Sequence, residues 1–452
     1  MPASLLPCVN CHGGDGRGKV EAGVTPPDIR WDTLTKPYPI ARPGGRTSEP
    51  YTERTLIRAI AMGLDSSGNL LDRAMPRYRL SQRDASDLVA YLKILGSGLE
   101  PGVTASTIDV GVILPPPRAM GGTGAAIERA LAAYFEELND SGGIYNRRIA
   151  LRFADPSAPD GLARLRGDQV FAVAASFVAG VEDEVARLST ESGVPIVGAF
   201  TLDPRPDPGN RIFYADAGLP GQAESLAAFA ARRRRDGRLV VVHSSAPVSQ
   251  RAAESALRTA RVSGWTAETM RMDSAGDVQS LATLGAADAV MFLSLDGSPV
   301  DFLRRVATAS PRAALLVPGP LTSKEIFQLP ASLTGRVFVA FSTLPSDRTT
   351  RAMNDYERMA ATHGLPREGF TEQIAALSWA RVLTEALQRA GHRLTREKLI
   401  AAIESLREFS TGLAPPITCT PSRRIGVTGA HVVTLDLKSA AGVPESVWID
   451  PK

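Results

Sequence analysis

Short apolar segments alternate with amphipathic segments through most of the chain. Seven apolar segments have the length and composition of buried strands: Ile108–Leu114, Val170–Ser176, Val194–Phe200, Arg238–Ser244, Ala289–Leu295, Ala313–Gly319 and Arg336–Ser342. The segments between them have helical periodicity, for example Gly124–Asn139, Gly180–Ser192 and Gln250–Ser263. Strands that alternate with helices of this length are typical of a parallel sheet covered by helices, which predicts an α/β fold.

The first 95 residues differ from the rest because they contain many prolines and few strand patterns. They end at "GSGLEPGVTAST" (Gly96–Thr107), a small, polar, turn-rich segment of the kind that links domains. A chain of 452 residues also exceeds what one hydrophobic core organises. We therefore expect a first domain over residues 1–95, a linker over residues 96–107 and a larger domain over residues 108–452.

The first domain contains the sequence "CVNCH", in which Cys8 is the first residue, Cys11 the fourth and His12 the last. Two thiols at this spacing can each add to a vinyl group of one haem, and the adjacent histidine can then bind the iron. A zinc site would need two more Cys or His ligands, and a thioredoxin-type redox pair would need an α/β setting. The spacing favours covalent haem. The third cysteine, Cys419, is interpreted as a packed or surface thiol.

Two methionines are candidates for a second ligand to the iron. Met75 lies in "RAMPRY", where Pro76 prevents a helix from including the methionine, so we predict that Met75 is the ligand. Met62 has apolar neighbours at helical spacing, which predicts core packing. The segment Leu80–Leu95 is predicted to be a helix capped by Ser81, with an apolar face made of Leu88, Val89, Leu92 and Leu95.

These elements, in this order, resemble the class I c-type cytochromes. The resemblance rests on "CVNCHGGDGRG", "TPPDI", "AMPRY" and the closing helix with "DLVAYL". It implies an all-α cytochrome c domain with one covalent haem c, attached at Cys8 and Cys11, whose iron is bound by His12 and Met75. Pro26 and Pro27 would shape the loop beside His12. The small cytochromes that accept electrons from periplasmic dehydrogenases are the most similar group.

The larger domain resembles the class I periplasmic solute-binding proteins of the branched-chain amino-acid type. The landmarks are "IDVGVILPPP", "ELNDSGGIYNRRIAL", "STESGVPIVGAF", "RIFYADAGLPGQAESLAAFA" and "TEQIAALSWARVLTEALQRAG". The resemblance implies a two-lobed α/β fold of type I, crossed three times by the chain, with a ligand cleft at the carboxyl ends of the strands. Lobe one is expected at about residues 108–227 and 344–424, and lobe two at about residues 228–343 and 425–452.

The loops of the expected cleft differ from those of the amino-acid-binding relatives. The loop that usually carries hydroxyls reads "ASFVAG", and the one that usually carries a Tyr-Gly pair reads "HSSAPVSQ". We therefore expect a small apolar or aromatic organic ligand, or a docking surface that no longer binds a solute. The candidate cleft residues are Pro116, Phe177, Phe200, Tyr214, Asp216, His243, Val248 and Asp296.

Charge and hydropathy exclude several classes of protein. The net charge of +3 does not indicate nucleic-acid binding, and no segment approaches the roughly 20 apolar residues of a membrane-spanning helix. The whole excess of positive charge lies in residues 1–95, which contain thirteen Lys and Arg residues and ten Asp and Glu residues. The start "MPASLLP" is not a secretory signal. Since c-type cytochromes are assembled outside the cytoplasm, we expect a periplasmic protein whose signal has been removed or truncated.

The sequence thus favours an electron-transfer protein with a fused sensing or docking module, which accepts electrons from a periplasmic quinoprotein-type dehydrogenase. The alternative is the substrate-binding receptor of an ABC-type uptake system with an accessory haem. We do not expect an enzyme: a haem peroxidase would need an open iron site. "GGTG" (Gly121–Gly124) lacks the Gly-Lys-Ser/Thr ending of a phosphate loop, and His243 has no nucleophile motif beside it.

Overall fold

The chain divides into two compact units, residues 1–99 and residues 100–452. The computed structural model describes residues 7–14, 16–18, 26–41, 47–95, 100–116, 120–158, 160–166, 169–207, 211–272, 281–444 and 448–451. Among these residues, no helix has both the length and the apolar character that crossing a bilayer requires.

The small unit is built from helices, with one short antiparallel ladder. In chain order its elements are α1 (Val9–His12), α2 (Trp31–Leu34), β1 (Ile40–Ala41), β2 (Thr47–Ser48), α3 (Glu53–Met62) and α4 (Gln82–Ile94). The helices α3 and α4 both begin with a capping box, in which the side chains of Thr52 and Ser81 accept hydrogen bonds from backbone N–H groups three residues later. The predicted cap at Ser81 is confirmed.

The core of the small unit confirms one prediction about its helices and contradicts another. Val89 and Leu92 of α4 are buried, and Leu88 and Leu95 pack beside them, so the predicted packing face is confirmed. Met62, in contrast, is 64% exposed, and the prediction that it packs in the core was wrong. The buried stripe of α3 runs through Leu56, Ala59 and Ile60, and Met62 lies off that stripe.

The larger unit contains two sheets, and the first is entirely parallel. Its strands are β3 (Thr107–Ile113), β4 (Arg148–Ala154), β5 (Ala172–Phe177), β6 (Ile196–Phe200), β7 (Ile212–Asp216) and β13 (Ile425–Val427), in the spatial order β13-β7-β6-β5-β3-β4. Helices cover both of its faces: α5 (Thr123–Asp140), α6 (Glu182–Ser192), α10 (Thr350–His363), α11 (Phe370–Ala390) and α12 (Arg396–Glu404). One face packs mainly against α5 and α11 and the other against α6. We call these the α11 face and the α6 face.

The second sheet is mixed. It has the spatial order β15-β14-β12-β11-β10-β8-β9, and the first two pairings in this order, β15 with β14 and β14 with β12, are antiparallel. Its strands are β8 (Arg238–His243), β9 (Thr266–Arg271), β10 (Ala289–Leu293), β11 (Ala314–Pro318), β12 (Val337–Phe341), β14 (His431–Asp436) and β15 (Ala441–Pro444). Its helices are α7 (Gly218–Arg233), α8 (Pro247–Val262) and α9 (Pro299–Ala309). The two sheets are the two lobes of an α/β fold of the periplasmic-binding-protein type.

The chain crosses between the sheets three times: after β7, after β12 and after β13. Two crossings lie at positions that differ from the expected boundaries. The helix α7 packs against α8 and β12, so lobe two begins at Gly218 and not near residue 228. The strand β13 pairs with β7, so lobe one extends to Val427 and not to residue 424.

Residues 100–107 of the expected linker belong to the larger unit. The backbone N–H of Asp109 donates to the Gly102 carbonyl at 2.7 Å, and Val103 is buried. Gly102 has a φ of +78°, and a Cβ there would lie 2.1 Å from the Phe171 nitrogen. These contacts fix residues 100–107 against lobe one. Residues 96–99 lie outside the described part of the chain.

Candidate functional site

The one-turn helix α1 brings the two thiols of the Cys-x-x-Cys-His motif and the imidazole together. Cys8 is the N-cap of this helix and is exposed, Cys11 is half-buried, and the backbone N–H of His12 donates to the Cys8 carbonyl at 2.9 Å. All three side chains therefore project from a single turn. This is the local geometry that two thioether bonds to one haem and an adjacent iron ligand require.

The His12 ring is buried and its orientation is fixed. Its Nδ1 lies 3.0 Å from the carbonyl oxygen of Pro27, so the Nδ1–H group donates to that oxygen and Nε2 keeps its lone pair. The loop that carries Pro26 and Pro27 is held close: a Cβ on Gly18 would lie only 2.2 Å from the Pro26 carbonyl oxygen. The structure thus gives His12 the tautomer of a metal ligand.

The loop that carries Met75 lies beside the cysteine motif. The side chain of Tyr78 hydrogen-bonds the Cys8 side chain, and burial, together with the two nearby thiols, raises the pKa of the Tyr78 phenol. The Tyr78 backbone N–H donates to the Ile60 carbonyl, and the Arg77 guanidinium donates to the carbonyls of Met75 and Leu71. Met75 itself is half-buried and packs on the core cluster of the small unit. These bonds hold Met75 on a fixed loop close to the motif.

The donors in the small unit fit a covalently bound haem c. A haem held at Cys8 and Cys11 would receive Nε2 of His12 on one side, with Met75 as the available thioether. Among the described residues, no group of three or more His, Cys, Asp or Glu side chains is placed to hold a metal ion, so the zinc alternative gains no support. The sequence contains one Cys-x-x-Cys-His motif.

Cys419 is buried in the core of lobe one, and burial raises its pKa to about 12. The thiolate, which is the reactive form, is therefore scarce in the folded protein at mildly alkaline pH. In the haem-loaded protein we expect a disulfide reagent such as Ellman's to detect no thiol before unfolding and one thiol in guanidinium chloride. A second or third thiol after unfolding would show that Cys8 and Cys11 do not both carry haem.

In lobe one, two phenylalanines end adjacent strands at the carboxyl edge of the sheet. The rings of Phe177 (β5) and Phe200 (β6) are stacked, with centroids 4.7 Å apart and planes 19° from parallel, and both are only partly buried. Each strand contains a residue with positive φ two positions earlier, Ala175 at +49° and Gly198 at +80°. The pairing of β5 with β6 has the same register before and after Ala175 and Gly198. Both strands therefore have their bulge at the same level of the sheet.

The paired bulges decide which face the phenylalanines occupy. Before the bulges, Ala174 and Val197 point to the α11 face, while Val173 and Ile196 point to the α6 face. Regular alternation would place Phe177 and Phe200 on the α6 face, but the extra residue in each strand returns both to the α11 face. The result is an aromatic surface at the carboxyl edge of lobe one.

The other lobe-one candidates have different environments. Tyr214 is buried on the α6 face and its hydroxyl donates to the Arg205 carbonyl. Pro116 is half-buried after β3. Asp216 ends β7 and accepts hydrogen bonds from the Gly218 N–H and from Ser342 of lobe two. Burial raises the pKa of the Asp216 carboxyl.

The lobe-two candidates follow the strands β8 and β10. His243 is half-buried with Nδ1 2.8 Å from the Ser244 carbonyl oxygen, Val248 packs on the lobe-two core, and Asp296 is exposed. Ser244 was not among the predicted cleft residues; its buried hydroxyl has no hydrogen-bond partner in the described structure. Hydroxyl groups thus lie at the strand ends of this lobe.

An ion pair that the sequence did not reveal connects the two lobes. Arg251 of α8 donates Nε to Oδ1 of Asp203 at 2.8 Å and a second bond to Oδ2, while Arg205 also donates to Oδ2 at 2.8 Å. Burial opposes the charge on Asp203, but the hydrogen bonds and charges of the two arginines outweigh it and hold its pKa below the usual range. Asp203 lies three residues after the cleft candidate Phe200, and no sequence signal paired it with Arg251.

Comparisons with known proteins agree with these two parts of the chain. Residues 107–441 match the family model described as "Periplasmic binding protein", and residues 6–96 match the one described as "Cytochrome c". A search of the curated proteins finds no significant match.

Several solved structures share the fold of the larger unit. A fatty acid ABC transporter substrate-binding protein from Thermomonospora curvata is 18% identical, with a TM-score of 0.59, over 78% of this chain and 95% of that one. A branched-chain amino acid ABC transporter protein from Thermus thermophilus with bound valine is 16% identical, with a TM-score of 0.58, over 77% and 97%. A substrate-binding periplasmic protein from Ralstonia solanacearum is 19% identical, with a TM-score of 0.54, over 76% and 99%.

At these identities the neighbours establish the fold, while the family matches assign both domains. The chain belongs to the periplasmic binding protein family, and a cytochrome c domain precedes the two lobes in the same polypeptide.

Proposed function

We propose that this protein is a periplasmic electron carrier that accepts electrons from a quinoprotein-type dehydrogenase and carries a solute-binding module in the same chain. The observation that supports this most directly is the His12 imidazole, whose Nδ1 is engaged by the Pro27 carbonyl so that Nε2 is free for iron. Both matched families are typically exported to the periplasm, and neither is a family of enzymes. We propose that this chain is likewise exported and not an enzyme.

The residues of the small unit suit electron transfer better than chemistry on a bound substrate. A haem c supplies reversible one-electron chemistry when it is bound. His12 is held in one tautomer, and Met75 lies on a loop pinned by the Arg77 hydrogen bonds. If both His12 and Met75 were to hold the iron of a bound haem, the group would supply electron transfer, with no protein position left for oxygen or peroxide. These features weigh against the peroxidase alternative.

We propose that the cleft of the larger unit takes a small apolar or aromatic organic molecule. The stacked Phe177 and Phe200 offer an aromatic surface at the carboxyl edge of lobe one. Ser176, the hydroxyl in the loop where amino-acid-binding relatives have several, is buried and already bonded: it donates to the Ala174 carbonyl and accepts from the Ile113 N–H. It is therefore unavailable to a ligand carboxylate. Such a module would sense or recruit a substrate or product of the dehydrogenase.

The test of electron transfer is stopped-flow reduction of the haem-loaded protein by a quinoprotein alcohol dehydrogenase supplied with its alcohol. We expect second-order reduction that slows by about tenfold as ionic strength rises to physiological values, because the small unit carries the basic surplus of the chain. A neutral hydroquinone serves as the control reductant, since its rate should change little with salt. Failure of every such dehydrogenase to reduce the haem would refute the proposed redox partner.

The second candidate function is a receptor for an ABC-type uptake system with an accessory haem. It is favoured by the binding-protein fold, which the chain matches over residues 107–441. The two candidates differ in what deletion of residues 1–95 does in the native host. A receptor would still support solute uptake, whereas an electron carrier would lose dehydrogenase-dependent growth and leave uptake unchanged.

A further inference from the structure

Arg348 lies in the second crossing, which links β12 of lobe two to α10 of lobe one. Its guanidinium stacks over the ring of Phe370, with 5.0 Å from Cζ to the ring centroid. Phe370 is the first residue of α11, and the preceding Gly369 packs on Thr123, the first residue of α5: a Cβ on Gly369 would lie 2.8 Å from Thr123 Cγ2. The start of α11 therefore lies beside the start of α5, and Arg348 lies there as well.

The start of α5 lies at the carboxyl edge of the first sheet, because α5 follows β3 along the chain. Arg348 is therefore at the same edge as Phe177 and Phe200. Both of those rings and Phe370 also pack on the same core cluster, that of the α11 face. Three aromatic rings and one guanidinium thus share one edge and one face of lobe one.

The guanidinium of Arg348 is not hydrogen-bonded to a carboxylate within the described part of the protein. Its side chain makes no hydrogen bond or ion pair there, and its buried Nε has no acceptor. The neighbouring carboxylate, Asp347, is already engaged by Nε2 of His431 at 2.9 Å and by the Leu344 N–H at 2.6 Å. Burial lowers the pKa of the Arg348 guanidinium, while the charge of Asp347 acts in the opposite direction. A buried donor without an acceptor costs free energy that a bound anion would recover.

We propose that Arg348 is the anion-recognition residue of the cleft and that the solute is an organic acid with an apolar or aromatic body. The inference rests on the proposed solute-binding function and specifies the class of the solute. The carboxylate accepts hydrogen bonds from the guanidinium, and the body of the acid packs against Phe177 and Phe200. The planar fork of arginine matches a carboxylate, and stacking on Phe370 fixes that fork before the ligand arrives.

Other classes of solute suit this edge less well. A cationic amine would be repelled by the unpaired guanidinium. A neutral alcohol would leave the buried Nε unsatisfied unless its oxygen accepted that single bond. Inorganic phosphate could use the guanidinium but would leave the aromatic surface uncovered. Two carboxyls belong to this lobe edge. Asp216 follows the α6-face residue Tyr214 at the next alternate position, and thus belongs to the opposite face from the phenylalanines. Glu368 lies at the start of α5, where a Cβ on Gly122 would be 2.8 Å from its Oε1.

The test is isothermal titration calorimetry on the haem-loaded full chain with ligands matched in body and different in charge. The probes are phenylacetate, hexanoate and benzoate, then 2-phenylethanol, phenethylamine and inorganic phosphate. We expect at least one carboxylate to bind at least tenfold more tightly than the neutral and cationic compounds. Arg348→Met should weaken that carboxylate at least tenfold, and Arg348→Lys should weaken it less. Arg351→Met, which removes an exposed arginine in the first turn of α10, should change nothing.

The outcomes separate this inference from the function on which it rests. Carboxylate binding that is unchanged in Arg348→Met, with the unfolding midpoint also unchanged, would overturn the role of Arg348. Preference for 2-phenylethanol or phenethylamine would overturn the organic-acid class and leave solute binding standing. Binding of phosphate alone would overturn the apolar body. If no probe binds, the organic-acid class is refuted and solute binding itself loses support. The reduction of the haem by the dehydrogenase is measured separately and does not depend on this result.

Discussion

Replacing Met75 with histidine is expected to lower the reduction potential of the haem-loaded protein by roughly a few tenths of a volt. A thioether ligand favours the reduced iron, whereas a second imidazole favours the oxidised iron, and axial ligands set haem potentials over about 0.8 V. The long-wavelength absorption band of the sulfur–iron bond should disappear from the oxidised protein. Spectroelectrochemical titration measures both changes in one sample.

Met62→His is the matched control, because Met62 is the other methionine of the small unit besides Met1 and is 64% exposed at the end of α3. It should retain the sulfur–iron band and the wild-type potential. The opposite pattern, with the band lost in the Met62 variant and kept in the Met75 variant, would assign the ligand to Met62. The Met75 loop and its hydrogen bonds to α3 would then have to rearrange when the haem is attached.

The cytochrome site was predictable because its chemistry is local in sequence. Cys8, Cys11 and His12 lie on one turn. The choice of Met75 over Met62 as the ligand rests on one proline and stays a prediction. The hydrogen bond that fixes the imidazole joins His12 to Pro27, fifteen residues away. The sequence indicated only that Pro27 shapes the neighbouring loop, since a carbonyl acceptor is present at every residue and has no signature of its own.

The order of strands and helices in the larger unit was equally predictable, but two of the three crossings between lobes lie at positions that differ from the expected ones. An apolar strand that is buried on both faces has the same hydrophobic pattern in either sheet, and a helix such as α7 has the same periodicity whichever sheet it covers. For the same reason the sequence did not show that Tyr214 points to the α6 face. Only the packing of neighbours decides which sheet and which face each residue joins.

The aromatic edge depends on two residues that sequence patterns treat differently. Gly198, inside an apolar strand, is a recognised sign of a bulge or a close approach. Ala175 gives no such sign, since alanine seldom adopts the φ of +49° that it has here. Arg348 was also missed, because it lies in a loop without a motif. Its proposed role depends on two tertiary contacts, its own stacking on Phe370 and the hydrogen bonds that engage Asp347 elsewhere.

Replacing Gly198 with alanine is expected to reduce the free energy of unfolding of the larger unit by about 2–5 kcal/mol. Gly198 has a φ of +80°, and a Cβ there would lie 2.4 Å from Cγ of the buried Trp379. The same indole lies 2.7 Å from the position of a Cβ on Gly426, so it fills a slot between β6 and β13 and has little room to move. Urea unfolding followed by far-ultraviolet circular dichroism measures the loss.

The control for the backbone contribution is Gly264→Ala. Gly264 has a φ of +87° and no atom within 4 Å of the added Cβ, so it should show only the cost of left-handed φ, about 1 kcal/mol. The excess in Gly198→Ala then measures the collision with Trp379, and Trp379→Leu in the same chain should recover part of it. If β6 instead relaxes into a regular strand, Phe200 turns to the α6 face and affinity for apolar solutes falls. Equal losses at Gly198 and Gly264 would contradict the packed slot and remove the structural reason for the bulge that orients Phe200.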